Sequence, residues 1–460
     1  MLPTIVVAGA SGFIGKALGP ALGDRYRLVG LSRRERQPTA GYSSFRKADL
    51  FSLRDTEKAL EGADFVIYLV HSMMPSARLV QGHFGDLDLL CADNVARAAA
   101  LHGVKQIVYV GGIVPTDSEL SDHLRSRLEV ETALGSRGVP LSTLRAGLVV
   151  GGGGSSFQML HRLVKRLPVM LCPSWTRTRM VPVDLRVVLE AIDRVVSRTP
   201  EGNRVYDLGE APAISYQELM AATAEAMNLE RRFIPIGLLT PGLSRLWVSL
   251  TTGAPRALVA PLIKSLRHEM IPRDEPRYRL EGLTHIGVEE MLANAVAEAN
   301  VTQSRPRAFE AFGSSAKDTV RSVQRMHLPE GRDATWAAHE YMRWIPRALP
   351  GLLRVEMRKE IGEVKFKFSG MGPALLRLEH KIERSEESRQ VFRVVDGLLA
   401  AETERGRLEF RQVLDDNTLL AAVHDFVPSL PWWVYRFSQA ETHRLVMHRF
   451  ARHLASQAPA

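Results

Sequence analysis

Hydrophobic residues in the first half of the chain recur in short blocks that are separated by segments of helical periodicity. Apolar runs typical of strands occupy residues 4–8, 26–31, 44–47, 64–70, 106–110, 142–149 and 204–208. Helical patterns fill the intervals at residues 13–22, 53–60, 84–102 and 122–137. Short strands that alternate with helices are typical of a doubly wound parallel sheet, so the pattern predicts an α/β fold for this half.

The pattern changes twice in the second half of the chain. Residues 233–300 are mainly helical and interrupted by proline, which predicts a cap on a first domain at 1–300. Residues 301–332 lose their periodicity and are predicted to be a linker. A second domain is predicted at 333–460, with extended stretches followed by a closing helix at 439–456. Antiparallel strands wrapped over a long last helix describe an α+β helix-grip architecture.

The first apolar run leads directly into a glycine-rich turn and then into a helix. Glycines at such a turn allow the chain to reverse, to approach a pyrophosphate closely, and to pack strand against helix. Backbone N–H groups and the helix dipole favour an anion at this position. The context predicts a dinucleotide site rather than a merely tight turn, in a Rossmann-type sheet. The residues of this predicted site are Gly9, Ser11, Gly12, Phe13, Ile14 and Gly15.

The end of the second strand indicates which dinucleotide binds. An acidic residue there contacts the ribose 2′-hydroxyl, whereas arginine accommodates a 2′-phosphate. This strand ends in Ser32 and Arg33, with no carboxylate. A guanidinium group forms paired, charge-assisted hydrogen bonds with phosphate. The sequence therefore predicts NADP(H) in preference to NAD(H), and a solvated arginine loop is the alternative.

Two more segments follow strands at the same predicted edge of the sheet. Asp49 and Leu50 come after the third strand, where such folds approach adenine, and Val70 and His71 end the fourth strand. We therefore count all four residues as candidate cofactor contacts. His71 is equally compatible with a loop histidine that has no role.

Composition narrows the classes of function. The chain has 460 residues and a formal net charge of +9, which favours anionic partners such as phosphates. Arginine is spread along the chain without a basic block, so nucleic-acid binding is not expected. The two cysteines, Cys91 and Cys172, show no zinc-ligand spacing, so a reducing compartment and no metal are expected. No apolar run reaches the length of a membrane span, which predicts a cytoplasmic protein, with peripheral membrane contact left open.

Several of these segments together resemble the short-chain dehydrogenase/reductase superfamily. The resemblance is carried by residues 9–15, 32–33 and 49–50 and by Asn94 in the helix after the fourth strand. The closer likeness, which residues 167–184 share, is to its atypical, NmrA-like branch of NAD-dependent epimerase/dehydratase type. It covers roughly residues 4–300 and implies NAD(P) binding. Residues 333–460 loosely resemble START-like helix-grip domains, which enclose apolar ligands.

Active members of the superfamily use a Tyr-x-x-x-Lys motif, in which tyrosine transfers the carbonyl proton and lysine lowers its pKa. No tyrosine of this chain has a lysine four residues later. His123 and Arg127 occupy the two positions, and Gly111–Gly112 stand where a catalytic serine is expected. His123 is the candidate proton donor, since histidine transfers protons near neutral pH, and Arg127 is a candidate ribose or phosphate contact. A purely structural helix histidine is the alternative.

Three functions follow from these observations, and the missing motif leaves open whether the chain is an enzyme. The first is an NADP(H)-dependent oxidoreductase acting on a hydrophobic carbonyl or quinone-like compound. The second is a non-catalytic dinucleotide sensor or assembly module, which the NmrA-like resemblance implies. The third is a lipid- or quinone-binding protein that uses its C-terminal domain. An aromatic patch at 431–437 suits core packing, a cavity wall, a domain interface or a membrane surface.

Overall fold

The computed structural model describes residues 2–71, 79–115, 119–236, 264–303, 319–369, 372–414 and 417–457. Its contacts divide the chain into two compact units. The N-terminal unit comprises residues 1–74 and 91–310, and the C-terminal unit comprises residues 75–90 and 311–460. The C-terminal unit thus includes residues 75–90, a segment that the sequence pattern assigns to the first domain.

Strands and helices alternate through the N-terminal unit, and strands predominate in the C-terminal unit. The strands are β1 (Thr4–Ala8), β2 (Arg27–Ser32), β3 (Ser44–Lys47), β4 (Phe65–Tyr68), β5 (Leu79–Gln81), β6 (Gln106–Gly112), β7 (Leu141–Ala146), β8 (Leu148–Val150), β9 (Val169–Cys172), β10 (Arg179–Met180), β11 (Pro182–Asp184), β12 (Arg204–Leu208), β13 (Ile214–Ser215), β14 (Arg232–Pro235), β15 (Val320–His327), β16 (Leu353–Arg358), β17 (Glu363–Phe368), β18 (Leu376–His380), β19 (Arg389–Asp396), β20 (Arg407–Val413) and β21 (Thr418–Phe426). The helices are α1 (Phe13–Leu22), α2 (Leu53–Leu60), α3 (Phe84–Leu101), α4 (Asp122–Leu134), α5 (Ser155–Arg166), α6 (Leu185–Val196), α7 (Tyr216–Ala226), α8 (Val288–Gln303), α9 (Ala334–Ala348), α10 (Trp432–Phe437) and α11 (Gln439–Ala455).

A seven-stranded parallel sheet forms the centre of the N-terminal unit, in the order β12-β7-β6-β4-β1-β2-β3. Val6 of β1 pairs with Val29 of β2 on one side and with Val66 of β4 on the other. All three side chains are fully buried, which is why these strands have near-continuous apolar sequences. The predicted doubly wound parallel sheet is confirmed. Its strand order reverses beside β1, where ligands of such folds bind.

Local sequence signals place several helices that frame this sheet. The side chain of Ser52 accepts a hydrogen bond from the backbone N–H of Asp55 and starts α2. Ser215 and Glu218 form a capping box at the start of α7, with reciprocal side-chain and backbone hydrogen bonds. These contacts lie within four residues of each other, so the sequence alone determines where the two helices begin.

The C-terminal unit contains an eight-stranded sheet in the order β16-β17-β18-β19-β20-β21-β15-β5. Its neighbouring strands are antiparallel except β15 and β5, which run parallel. On one face, the ring of Tyr341 from α9 lies 5.3 Å from Phe410 of β20 and 5.1 Å from Phe450 of α11. In β17 apolar and polar residues alternate, and the apolar residues Val364 and Phe366 are buried. An α+β region with a long last helix is therefore present.

One strand of this sheet lies where the sequence predicts a linker. Strand β15 pairs along its length with β21, although its sequence lacks a clear alternation of apolar and polar residues. The alternation is broken by Arg321, a charged residue that is buried in the strand. Its Nη2 atom lies 3.2 Å from Oδ1 of Asp425, so the buried charge is paired. An ion pair inside the sheet therefore conceals the strand from pattern analysis.

Parts of two predicted segments lie outside the described residues. These are residues 237–263 of the predicted helical cap and residues 304–318 of the predicted linker. The described part of the cap segment contains β14 and α8. Among the helices that the structure describes, none is both long and apolar enough to cross a membrane.

Candidate functional site

The glycine turn joins β1 to α1 at the centre of the parallel sheet. Gly9 has a φ of +95°, in the region that glycine adopts readily, and the N–H of Gly12 donates to the carbonyl of Gly9 at 2.9 Å. A Cβ atom at Gly15 would lie 2.3 Å from the Gly9 oxygen. The turn therefore requires glycine at position 15. Because Gly12 begins α1 without a capping side chain, the first helical N–H groups remain available to an anion.

The other residues predicted for this turn occupy different surroundings. Ser11 is exposed, whereas Phe13 is half-buried and its ring packs against the turn at residues 151–154. Ile14 lines a cavity at the edge of the sheet. Tyr42, which sequence reasoning missed, donates its hydroxyl to the carbonyl of Gly15 at 2.5 Å and so holds α1 against the sheet.

The residues predicted to meet the adenosine follow the adjacent strands β2 and β3. Ser32 pairs in parallel register with Lys47, so the segments after both strands lie at the same edge of the sheet as the glycine turn. Arg33 is exposed, and Ser32 Oγ accepts the backbone N–H of Arg34 at 3.2 Å. The parallel register thus brings this pair and the segment at 49–50 to one edge.

The loop after β3 has a defined conformation. The carboxylate of Asp49 accepts the backbone N–H of Phe51 at 3.3 Å. The amide of Asn94, on α3, donates to the carbonyl of Leu50 at 2.7 Å. Asn94 is fully buried, so this contact fixes the loop that faces the predicted adenine position.

A cavity of about 460 Å³ opens at the carboxyl ends of β4, β6 and β7. Its walls are mostly apolar side chains of α5 and α7, together with Ile14 of α1. His71, after β4, and His123, on α4, both line it, and their ring centroids lie 5.1 Å apart. The sequence identified these histidines separately, and the fold brings them together. Val70 is half-buried beside His71.

Arg127 lies one helical turn after His123 and lines the same cavity. Its Nη1 is 3.5 Å from the hydroxyl of Tyr109, which itself lies 3.4 Å from the Arg127 carbonyl oxygen. At the start of α4, Ser121 Oγ accepts the N–H of Leu124 at 3.4 Å and lies 2.9 Å from Ser265 Oγ. The helix that carries His123 and Arg127 is therefore held by hydrogen bonds at its first turn.

Two aromatic residues of this cavity are not among the predicted site residues. Trp175 and Tyr216 meet edge to face with ring centroids 6.4 Å apart. Burial raises the pKa of Tyr216, so its hydroxyl keeps its proton at neutral pH. Trp175 Nε1 is buried and has no hydrogen-bond partner in the ranges that the structure covers. No local pattern marks these residues, because their position depends on how α7 packs beside the sheet.

The cavity has a defined chemical character. Among the described residues that line the cavity, none carries a carboxylate, and Arg127 is the single residue with a permanent positive charge. Histidine can donate a proton near neutral pH, and the apolar walls favour an apolar substrate. The arrangement therefore places two histidines and one arginine against a mostly apolar space.

A parallel seven-stranded sheet with a glycine turn at β1 is the fold of NAD(P)-binding epimerases and reductases. Residues 5–126 match the model of the NAD dependent epimerase/dehydratase family. The chain is also 28% identical over 147 residues to the Auxiliary protein GraX of Staphylococcus aureus. That alignment covers 31% of this chain and 44% of GraX, so it spans less than half of that relative's length.

Solved structures resemble about two thirds of this chain. A nucleoside-diphosphate-sugar epimerase from Staphylococcus aureus has a TM-score of 0.50 at 16% identity, covering 63% of this chain and 99% of that one. A UDP-glucose 4-epimerase from Thermotoga maritima, solved with UDP-glucose, has a TM-score of 0.50 at 13% identity and covers 65% and 99%. At these identities the likeness shows a shared fold.

Proposed function

We propose that the N-terminal unit binds NADP(H) and reduces or oxidises a hydrophobic carbonyl or quinone-like compound. The observation that carries this proposal is the apolar cavity beside the glycine turn, with His71, His123 and Arg127 on its wall. A sugar-nucleotide substrate would need polar partners along the cavity, and most of the described lining is apolar. The NmrA-like resemblance remains a prediction.

The residues fit the cofactor at three places. The turn at 9–15 offers backbone N–H groups to the pyrophosphate. The turn and α1 pack so closely at Gly15 that there is no room for a Cβ atom. Ser32 and the exposed Arg33 bind the 2′-phosphate in this proposal. In this proposal Asp49 and Leu50 contact the adenine, and Val70 and His71 are further cofactor contacts.

The nicotinamide supplies hydride chemistry when it is bound. His123 donates the proton that the carbonyl oxygen of the substrate needs as it becomes a hydroxyl. Arg127 holds the nicotinamide ribose or the developing negative charge, but it cannot change its own protonation state near neutral pH. The buried Nε1–H of Trp175 is a further donor that orients the substrate oxygen.

Calorimetric titration tests the cofactor assignment. We expect NADPH to bind wild-type protein more tightly than NADH does. R33A should weaken NADPH about ten- to a hundredfold, because charge-assisted hydrogen bonds are lost, with little effect on NADH. R27A is the matched control, since Arg27 is exposed at the opposite end of β2. Equal losses for both nucleotides would contradict the phosphate assignment.

Turnover tests the catalytic part of the proposal. Wild-type protein should oxidise NADPH in the presence of some member of a panel of quinones and apolar ketones. H123A should then lower kcat about 100-fold or more, whereas H285A, at an exposed histidine, should not. Dinucleotide binding without turnover of any carbonyl would favour the non-catalytic sensor or assembly module instead.

A second candidate function belongs to the C-terminal unit and is favoured by a separate observation. A cavity of about 390 Å³ lies between its sheet and the helices α10 and α11, with mostly apolar walls. Tyr435, from the aromatic patch, lines it, whereas Trp433 and Phe437 of that patch are 71% and 76% exposed. Core packing alone therefore does not describe the patch. We propose that this cavity binds an apolar small molecule such as a lipid or quinone.

A further inference from the structure

The cavity of the C-terminal unit carries no formal charge on its walls. Among the described residues that line it, none is Asp, Glu, Lys or Arg. Typical lining residues are Phe366 and Leu408 from the sheet and Val446 from α11. An ionised ligand would lose its hydration there without gaining an opposite charge, and burial of an unpaired charge is strongly unfavourable. The walls therefore favour an uncharged ligand.

Five of the described residues that line the cavity carry hydroxyl groups, and two others, Gln439 and His443, carry an amide and an imidazole. Gln439 and His443 are four residues apart on α11, so they lie one above the other on the same face of the helix. Both line the cavity. The amide Nε2 of Gln439 donates to the carbonyl oxygen of Leu399 at 3.2 Å, which fixes the amide orientation. Gln439 Oε1 is therefore the atom left to accept a further hydrogen bond.

Both polar atoms are sealed from solvent without a partner. Gln439 Oε1 and His443 Nε2 are buried, and neither has a hydrogen-bond partner in the part of the chain that the structure describes. Burial lowers the pKa of His443 to about 4, so the ring is neutral at pH 7. Buried polar atoms in folded proteins nearly always have a hydrogen-bond partner, so this pair points to a polar group on a ligand.

We propose that this cavity binds an uncharged, mostly apolar molecule that bears one hydroxyl group, held between Gln439 and His443. The hydroxyl donates its hydrogen to Gln439 Oε1 and accepts the Nε2–H of His443. A ketone or quinone oxygen has no hydrogen for Gln439, and a carboxylate has neither a hydrogen nor a counter-charge. This inference rests on the second candidate function, the binding of an apolar molecule in the cavity.

Three eight-carbon probes of matched length separate the possibilities: 1-octanol, heptyl methyl ether and octanoate. Their dissociation constants are measured on the full chain at pH 7 by displacement of an apolar fluorescent dye. The ether accepts a hydrogen bond but cannot donate one, so octanol should bind about tenfold more tightly, as one hydrogen bond predicts. Octanoate should bind most weakly.

Variants locate the hydroxyl in the cavity. Q439L should reduce octanol binding to the level of the ether and leave the ether unchanged. H443L should weaken octanol and ether together. H448L is the matched control, because His448 is exposed on the same helix, and it should leave all three constants unchanged.

The outcomes distinguish the hydroxyl assignment from the second candidate function on which it rests. Equal binding of octanol and ether to the wild-type protein, or tightest binding of octanoate, would overturn the hydroxyl assignment while the apolar site stands. If none of the three probes binds, the second candidate function itself is overturned. The comparison on wild-type protein needs no variant to fold, so it decides the question alone.

Discussion

The neutral state of His443 makes a quantitative prediction about acid stability. In the unfolded chain this histidine has a pKa near 6.5, whereas burial in the fold lowers the pKa to about 4. Between these values the unfolded state binds a proton that the folded state does not. Stability therefore rises with pH over this window, so the contribution of a neutral His443 is complete above pH 6.5 and is lost as the pH falls towards 4.

The size of the effect follows from the same two pKa values. Each pH unit below the unfolded pKa costs about 1.4 kcal/mol. At pH 5, about 1.5 pH units below 6.5, the loss from this one histidine is about 2 kcal/mol, and at pH 4 it is about 3 kcal/mol. The H443L variant has no proton to bind at this position. Between pH 7 and pH 5 it should therefore lose about 2 kcal/mol less than wild type.

Urea-induced unfolding of the full chain at pH 7, 6 and 5, followed by circular dichroism, measures this difference. The buried His424 and His380, whose pKa values burial also lowers, are present in both proteins, so they cancel in the comparison. H448L should follow wild type at every pH, because His448 is exposed. The same pH dependence for wild type and H443L would refute a neutral, desolvated histidine at this position.

Two further variants test the glycine turn and the ionic interior of the C-terminal sheet. G15A places a Cβ 2.3 Å from the Gly9 oxygen, so dinucleotide affinity measured by calorimetry should fall about 100-fold or more. Unchanged affinity would exclude the turn as the binding site. G287A is the control, because a Cβ at Gly287 would meet open space. E409Q leaves three arginines without the fully buried carboxylate that they surround, so urea titration should show a loss of about 3–5 kcal/mol. A loss below about 1 kcal/mol, typical of an exposed ion pair, would contradict the buried arrangement.

Signals of short range in the sequence predicted much of the fold. The apolar run before Gly9 and the glycines of the turn each act within a few residues, and each has the predicted structure. Strand β15 was not predicted, because its buried Arg321 depends on Asp425, 104 residues further along the chain. Nothing local distinguishes such an arginine from a solvated one.

The candidate sites show the same division. The sequence identified His71 and His123 individually, since each follows or begins an element at the predicted sheet edge. It did not predict their contact, nor that Trp175 and Tyr216 would form another wall of the cavity. Only the packing of α11 on the sheet places His443 in the wall of a cavity.

The amino-acid sequence by itself determined the alternation of strands and helices in the parallel sheet, the glycine turn and the absence of a Tyr-x-x-x-Lys pair, because backbone conformation and hydrophobic period are local properties. The tertiary structure alone decided which side chains share a cavity and which polar atoms lose their water. It also decided that residues 79–81 pair with β15 in the C-terminal sheet. Those outcomes depend on contacts between residues far apart in the chain, and no short-range pattern encodes them.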